Sequence, residues 1–316
     1  MRQLFEIDCH DYDGCTKVFS RPSARGIIIR NGRIALVYSP RENYYKFPGG
    51  GIHAGEDKKA ALLREVKEET GLTVIPESIA EFGSVMRRNK SNYEADTIFE
   101  QENDYYVCCT KDIIAEQNLD DYEREAEFTL IFTDIDEAIR VNDEYHSDNS
   151  FEEIMIKREL RVLQIIREAM ITQAFLPYAY FMSEGLDAER IYAGEYADAL
   201  SGLLAEHPEN RFLKELEYVS GAEESAAFIL AHSGCCVVAP EDFGRVFLRT
   251  LRSVYQDTEI SAFAKSMYAL WGKLPDGIMN TEPFIALSYA DDALLACGDE
   301  AQTRRVYEHL FDYYDR

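Results

Sequence analysis

The chain has 316 residues, 46% hydrophobic and 29% charged, so it is long enough for two domains with a core each and carries no bias towards disorder. Its formal net charge is −25, and the acidity is not a tail, because residues 171–316 alone hold 11 Lys and Arg against 24 Asp and Glu. Such a balance repels nucleic-acid backbones and anionic membrane surfaces, arguing against extended binding to either, and a phosphorylated small substrate would need cations to mediate.

Residues 1–20 are interrupted by charges and lack the apolar core of a signal segment, and no window approaches the roughly 18–20 apolar residues of a membrane span. The seven cysteines, Cys9, Cys15, Cys108, Cys109, Cys235, Cys236 and Cys297, form no Cys-x-x-Cys pair and are odd in number. They read as reduced, mostly buried thiols of a cytoplasmic protein that is not exported. Residues 25–30 and 33–38 are β-rich runs joined by Asn31-Gly32, the dipeptide favoured in two-residue hairpin turns. A Pro-Gly loop follows at Phe47-Pro48-Gly49-Gly50-Gly51, then a helix opened by Glu56 and Asp57 and closed by Gly71. Further strands are expected at 79–86, 104–110 and 128–133, and a helix at 134–141. Another helix is expected at 151–171, from the helical recurrence of Ile154, Ile156, Leu160, Leu163 and Ile166. Beyond residue 172 strand signals nearly vanish, and segments such as 190–205, 210–219, 222–232, 241–255, 258–271 and 301–315 read as helical. The class is therefore α+β: a mixed β-sheet flanked by helices over 1–171, then an all-helical domain over 172–316.

On a helix, Glu65, Glu68 and Glu69 stand at i, i+3 and i+4, so their carboxylates converge on one face, while Leu62, Leu63 and Val66 take the adjoining face and anchor it to a sheet. Three like charges at that spacing repel one another unless a cation sits among them. A hard divalent ion with oxygen ligands suits the set, Mg²⁺ first and Mn²⁺ second. The plainer alternative is a solvated helix face bridged to Lys58, Arg64 or Lys67. The surrounding framework weighs against it, because glycines 49–51 let the backbone come close to a metal and to phosphates.

That framework runs from Gly50 across five residues to Glu56, across seven more to Arg64, and on through Glu65-Val66-Lys67-Glu68-Glu69-Thr70-Gly71-Leu72. It resembles the Nudix hydrolase family at every defining position of Gly-x5-Glu-x7-Arg-Glu-apolar-x-Glu-Glu-x-Gly-apolar. The resemblance covers the first half of the chain and implies metal-dependent hydrolysis of a diphosphate bond in a nucleoside diphosphate linked to another moiety. It also implies Glu65, Glu68 and Glu69 as ligands, one of them relaying a proton from water, and Arg64 as the group that orients them. The Gly49 carbonyl would be a further ligand, with Gly50 and Gly51 beside the substrate. For an additional acidic ligand or base, Glu100, Glu102, Glu123, Glu125 and Glu127 are all candidates, and the sequence does not choose among them. Markers of the ADP-ribose, dinucleoside polyphosphate, coenzyme A and NADH subgroups are not evident, and Pro76 lies too near the box to be the proline of the ADP-ribose group. The assignment stops at the diphosphate.

Outside the box, Arg87 and Arg88 are candidates for substrate phosphates, or simply basic residues at an exposed strand end. Tyr45, with Tyr44 and Tyr105, could stack on a base or serve as a half-buried sheet residue. His53 lies in the box loop at a position the family leaves free, and no His-x-x-x-His or Ser-His-Asp arrangement suggests another hydrolase. A rival reading is a nucleotide-sensing or scaffold protein whose helical half recruits a partner, against which the intact glutamates argue. An isomerase on the same fold would need a paired Cys and Glu, which is not evident. In the second half, Phe243, Phe247, Leu251, Tyr255, Phe263, Tyr268 and Trp271 recur at helical spacing and read as core. That domain is expected to supply no catalytic ligand and to restrict substrate access or mediate association, as in a homodimer.

Overall fold

The computed structural model describes residues 1–234 and 236–315, so Cys235 and Arg316 lie outside them. The chain divides into two compact units, Met1–Arg167 and Glu168–Arg316.

The first unit runs β1 (Gln3–Asp8), β2 (Lys17–Ser20), β3 (Ser23–Ile27), β4 (Ile29–Arg30), β5 (Arg33–Ser39), β6 (Tyr44–Lys46), β7 (Gly49–Gly51), α1 (Lys58–Thr70), β8 (Leu72–Val74) and β9 (Ala80–Lys90). It continues through β10 (Thr97–Val107), β11 (Thr110–Ile114), α2 (Asp121–Glu125), β12 (Thr129–Thr133), α3 (Ile135–Asp143) and α4 (Ser150–Gln173), inside which the division falls. A mixed sheet has the order β1-β9-β10-β3-β7 with β2 also on β10; a second has the order β12-β5-β4 with β6 on β5; β11 pairs with β8. β3 pairs antiparallel with β7, setting Ser23, Ala24 and Arg25 opposite Gly51, Gly50 and Gly49. The glycine segment, expected as a loop, is thereby an edge strand.

The Asn31-Gly32 turn forms with φ of 51° and 71°, the two positive values that the tight hairpin turn demands. The strand expected at 25–30 splits at Ile28, however, because β3 joins one sheet and β4 pairs with β5 in the other. Ile27, Ile28 and Ile29 are all buried, and a run that is apolar on both faces can serve two sheets without an alternation to mark the switch. The strand expected at 104–110 begins earlier, at Thr97. Its middle, Glu100-Gln101-Glu102-Asn103, is too polar to read as a strand, yet each of these residues pairs with β9.

Helix α1 starts where the Asp57 side chain accepts from the Lys59 and Ala60 amides at 2.9 and 3.1 Å. It stops at Gly71, whose φ of +73° is left-handed and where an added Cβ would stand 1.9 Å from the Ala115 carbonyl oxygen. Ala61, Leu62 and Val66 bury fully against Ala24, Ile28, Ala35 and Tyr106, with Leu63 only partly buried at the margin. That packing sets α1 with its carboxylates beside the glycine strand.

Residues 168–316 carry helices and, among the described residues, no strand. Phe243, Phe247, Leu251 and Phe263 bury in one core with Phe181, Met267 and Tyr307; Tyr255 and Trp271 pack against it, and Tyr268 is 43% exposed. The helix Leu176–Ser183 was not legible in advance, since burial on nearly all its faces leaves no period to detect. No described helix is long and apolar enough to cross a membrane. Cys9, Cys15, Cys108, Cys109 and Cys236 are free thiols, of which only Cys108 is buried, fewer than expected.

Candidate active site

Arg64 organises the box. Its guanidinium donates to both Glu56 oxygens at 2.9 Å, to Glu65 Oε1 at 2.6 Å, to Glu68 Oε2 at 3.3 Å and to the Gly51 carbonyl at 3.1 Å. A planar fork suits this work, because several acceptors can be served in one plane. These bonds to Arg64, with the His53 amide, draw the Glu56 carboxyl down to about 2. A depressed carboxylate contributes stability above its unfolded value near 4.5, and that contribution is lost as pH falls towards the folded value. Glu56→Gln is therefore expected to flatten the fall in stability between pH 5 and pH 3, checked by urea unfolding; equal slopes in both proteins would remove Glu56 as the cause.

Gly50 is where Glu65 meets the glycine strand, since an added Cβ would stand 2.3 Å from Glu65 Oε2. Gly49 is equally constrained, with φ +139° and the Ala24 carbonyl oxygen 2.2 Å from where its Cβ would be. Around these residues lies an open cavity of about 310 Å³ whose lining includes Glu65, Glu68, Glu69, Asp120 and Glu123, with Arg21, Gly51, His53 and Arg64. The sequence left five glutamates open as the additional acid, and only Glu123 of these lines the cavity. Glu100 pairs with Arg88 and Glu102 with Lys58.

The three box glutamates are not alike. Glu68 is 39% exposed at its side chain and Glu65 15%, but Glu69 is buried, although helical spacing puts all three towards one face. One Glu69 oxygen accepts from Lys46 Nζ at 2.7 Å and the other from the Gly49 amide at 2.8 Å. Lys46 also lies 3.8 Å from Glu123 and over the Phe128 ring. Burial raises the Glu69 carboxyl to about 7, with Lys46 pulling it down and Glu123 pushing it up. The Gly49 carbonyl, expected as a ligand, accepts from Arg25 Nη1 at 3.4 Å.

Arg87, Arg88 and Tyr45 are not in the cavity lining. Arg87 is buried, donating to Asn89 and to the Phe151 carbonyl beside the Phe99 and Phe151 rings, and burial with two nearby guanidiniums lowers it to about 9. Arg88 pairs with Glu6 and Glu100 on the strand surface. Tyr45 packs against Tyr38, and its backbone is held by Asn142, so it is a sheet residue as the second reading has it, but buried and not half-buried. Tyr44 and Tyr105 are likewise buried. Arg21, Lys46, Asp120 and the buried Arg25 and Glu159 were missed. No local pattern marks them, since their place depends on strand pairing and on a helix more than a hundred residues from the glycines.

Among the described residues no three His, Cys, Asp or Glu side chains stand at ligating spacing, with Glu65 and Glu68 held by Arg64 and Glu69 by Lys46. The donor set nonetheless fits a hard divalent cation, because the cavity is walled by carboxylate oxygens in excess of its cations.

A family profile of the NUDIX domain matches residues 20–155. This segment is a NUDIX domain. The RNA pyrophosphohydrolase of Acinetobacter baylyi is 43% identical over 61 residues, 19% of this chain and 35% of that protein. The RNA pyrophosphohydrolase of a Marinomonas species is 46% identical over 54 residues, 16% of this chain and 33% of that protein. The chain thus spans about a third of the length of the curated relatives it matches. Among solved structures, a MutT NUDIX hydrolase from Burkholderia pseudomallei is similar at 18% identity and a TM-score of 0.31, covering 44% of this chain and 97% of that one.

Proposed function

We propose that the NUDIX unit hydrolyses the diphosphate bond of a small nucleotide-type substrate, a nucleoside diphosphate linked to another moiety, with the help of a divalent cation, Mg²⁺ or Mn²⁺. The observation that carries this reading is the cavity walled by Glu65, Glu68, Glu69, Asp120 and Glu123 next to a glycine strand. Glu65, Glu68 and Glu123 would hold the cation, Glu65 and Glu68 being oriented by Arg64. When bound, the cation supplies charge neutralisation for the diphosphate and acidifies water. Arg21, at the Gly51 side of the cavity, offers an opposite charge to a phosphate. Glu69, raised towards neutrality by burial, is suited to exchanging a proton near pH 7.

The net charge of −25 favours a small substrate or a nucleotide terminus over a long nucleic acid. The test is product release from a panel of nucleoside triphosphates, ADP-ribose, dinucleoside polyphosphates and a 5′-triphosphorylated oligonucleotide, with Mg²⁺. Turnover of at least one is expected. Tight nucleotide binding with no turnover across the panel would replace hydrolysis with the sensing role.

A further inference from the structure

The segment Phe47-Pro48-Gly49 leads into the glycine strand, and its backbone polar groups are satisfied in an unusual way. The Phe47 amide donates to Glu159 Oε2 at 3.0 Å, and the Phe47 carbonyl accepts from Arg25 Nη1 at 3.2 Å. The Pro48 carbonyl accepts from the Gly26 amide at 2.8 Å. At Gly49 the amide donates to Glu69 and the carbonyl accepts from the same Arg25 nitrogen. Buried ionic side chains thus hold both ends of the segment, with Glu69 on one side and Glu159 with Arg25 on the other. Backbone bonds of this kind ordinarily come from a neighbouring strand or from water.

Glu159 is 0% exposed and its neighbour Arg158 1%. Glu159 bonds Arg158 directly and lies 3.9 Å from Arg25. Burial would raise its carboxyl, but Arg158, Arg25 and the Phe47 amide hold it below the usual range, so it is ionised. Along the same helix Ile156, Val162, Leu163 and Ile166 are buried, so Arg158 and Glu159 interrupt an otherwise apolar buried face. Apolar side chains in place of the whole cluster of Glu159, Arg158 and Arg25 would carry no ionic desolvation cost, so a buried charge cluster at this point favours a positional role over a merely stabilising one.

We infer that Glu159 is a positioning residue for the candidate site: through the Phe47 amide and through Arg25 it fixes the backbone from Phe47 to Gly49, and thereby the register of Gly50 against Glu65. The part of this inference that concerns metal rests on the proposed function; the part that concerns the backbone does not.

The test uses the full chain and two variants. Glu159→Gln keeps the shape and an acceptor but removes the charge that orients Arg25. Arg25→Lys keeps a charge but loses the fork that serves the Phe47 and Gly49 carbonyls together, and it decides the matter if Glu159→Gln does not fold. Val141→Ala, in α3 and buried, is the control for general destabilisation. Amide hydrogen exchange is read at Phe47 and Gly49 by NMR, and Mn²⁺ affinity by electron paramagnetic resonance. Glu159→Gln is expected to speed exchange about tenfold or more at both amides, although Glu159 touches only the first, and to weaken Mn²⁺ binding roughly tenfold, as loss of an outer support does. Faster exchange at Phe47 with Gly49 unchanged would reduce Glu159 to a local hydrogen-bond partner and overturn the inference. Equal acceleration in Val141→Ala would overturn it too, by assigning the effect to global stability. Wild-type protein that binds no Mn²⁺ would defeat the metal reading, while the exchange measurement still decides the role of Glu159.

Discussion

Glu68→Gln is expected to lower kcat roughly 100- to 1,000-fold while leaving stability within about 0.5 kcal/mol, which is the pattern of a charge needed by the reaction and not by the fold. The Glu68 carboxylate is 39% exposed and its bond to Arg64, at 3.3 Å, is the longest that guanidinium makes to a carboxylate. A screened pair of that kind adds little to folding. The glutamine retains the shape, so what is lost is one negative ligand for the cation and its diphosphate. Glu69→Gln should behave differently. It weakens the buried contact to Lys46 and the hold on the Gly49 amide, so activity should fall together with about 1–3 kcal/mol of stability. Steady-state kinetics and urea unfolding on the two variants separate these outcomes, and a Glu68→Gln protein with wild-type kcat would remove that residue from the site.

Chelation should have the largest effect. In EDTA, turnover of any substrate found by the panel is expected to fall to background, and to return on adding Mg²⁺ or Mn²⁺ in excess. The physical ground is that carboxylates outnumber the cations lining the cavity and meet an anionic substrate, and like charges left without a counter-ion at short range cost several kcal/mol. A second readout needs no catalysis: a cation binding only the folded state at about 100 times its Kd adds about 2.7 kcal/mol, so the unfolding midpoint should rise with Mg²⁺. Full turnover after exhaustive dialysis against EDTA would rule out the cation.

Much of the candidate site was legible in sequence because its residues are local. Gly50, Glu56, Arg64, Glu65, Glu68, Glu69 and Gly71 lie within one short strand, the loop after it and one helix with its cap, and helical spacing alone orders Arg64, Glu65, Glu68 and Glu69 around the axis. The hairpin at Asn31-Gly32, the cap at Asp57 and the stop at Gly71 were likewise readable, since each is a rule about a few adjacent residues. The change from a strand-rich first half to a helical second half followed from the period of the apolar residues.

What lay beyond that reading depends on which distant segments meet. Spacing puts Glu69 on the same helix face as Glu65, but only the packing of α1 beside Lys46 of β6 buries it and pairs it with that lysine. Arg87 and Arg88 read alike as a basic pair. Strand alternation sends the first into the interior beside Phe151 and the second to Glu6 and Glu100, and neither to the cavity. That Glu123, of the five glutamates, lines the cavity, and that Glu159 reaches across 112 residues to the Phe47 amide, came from tertiary structure alone. The reason is physical: a carboxylate's role is set by its burial and by the cations it faces, and neither is a property of the residues next to it in the chain.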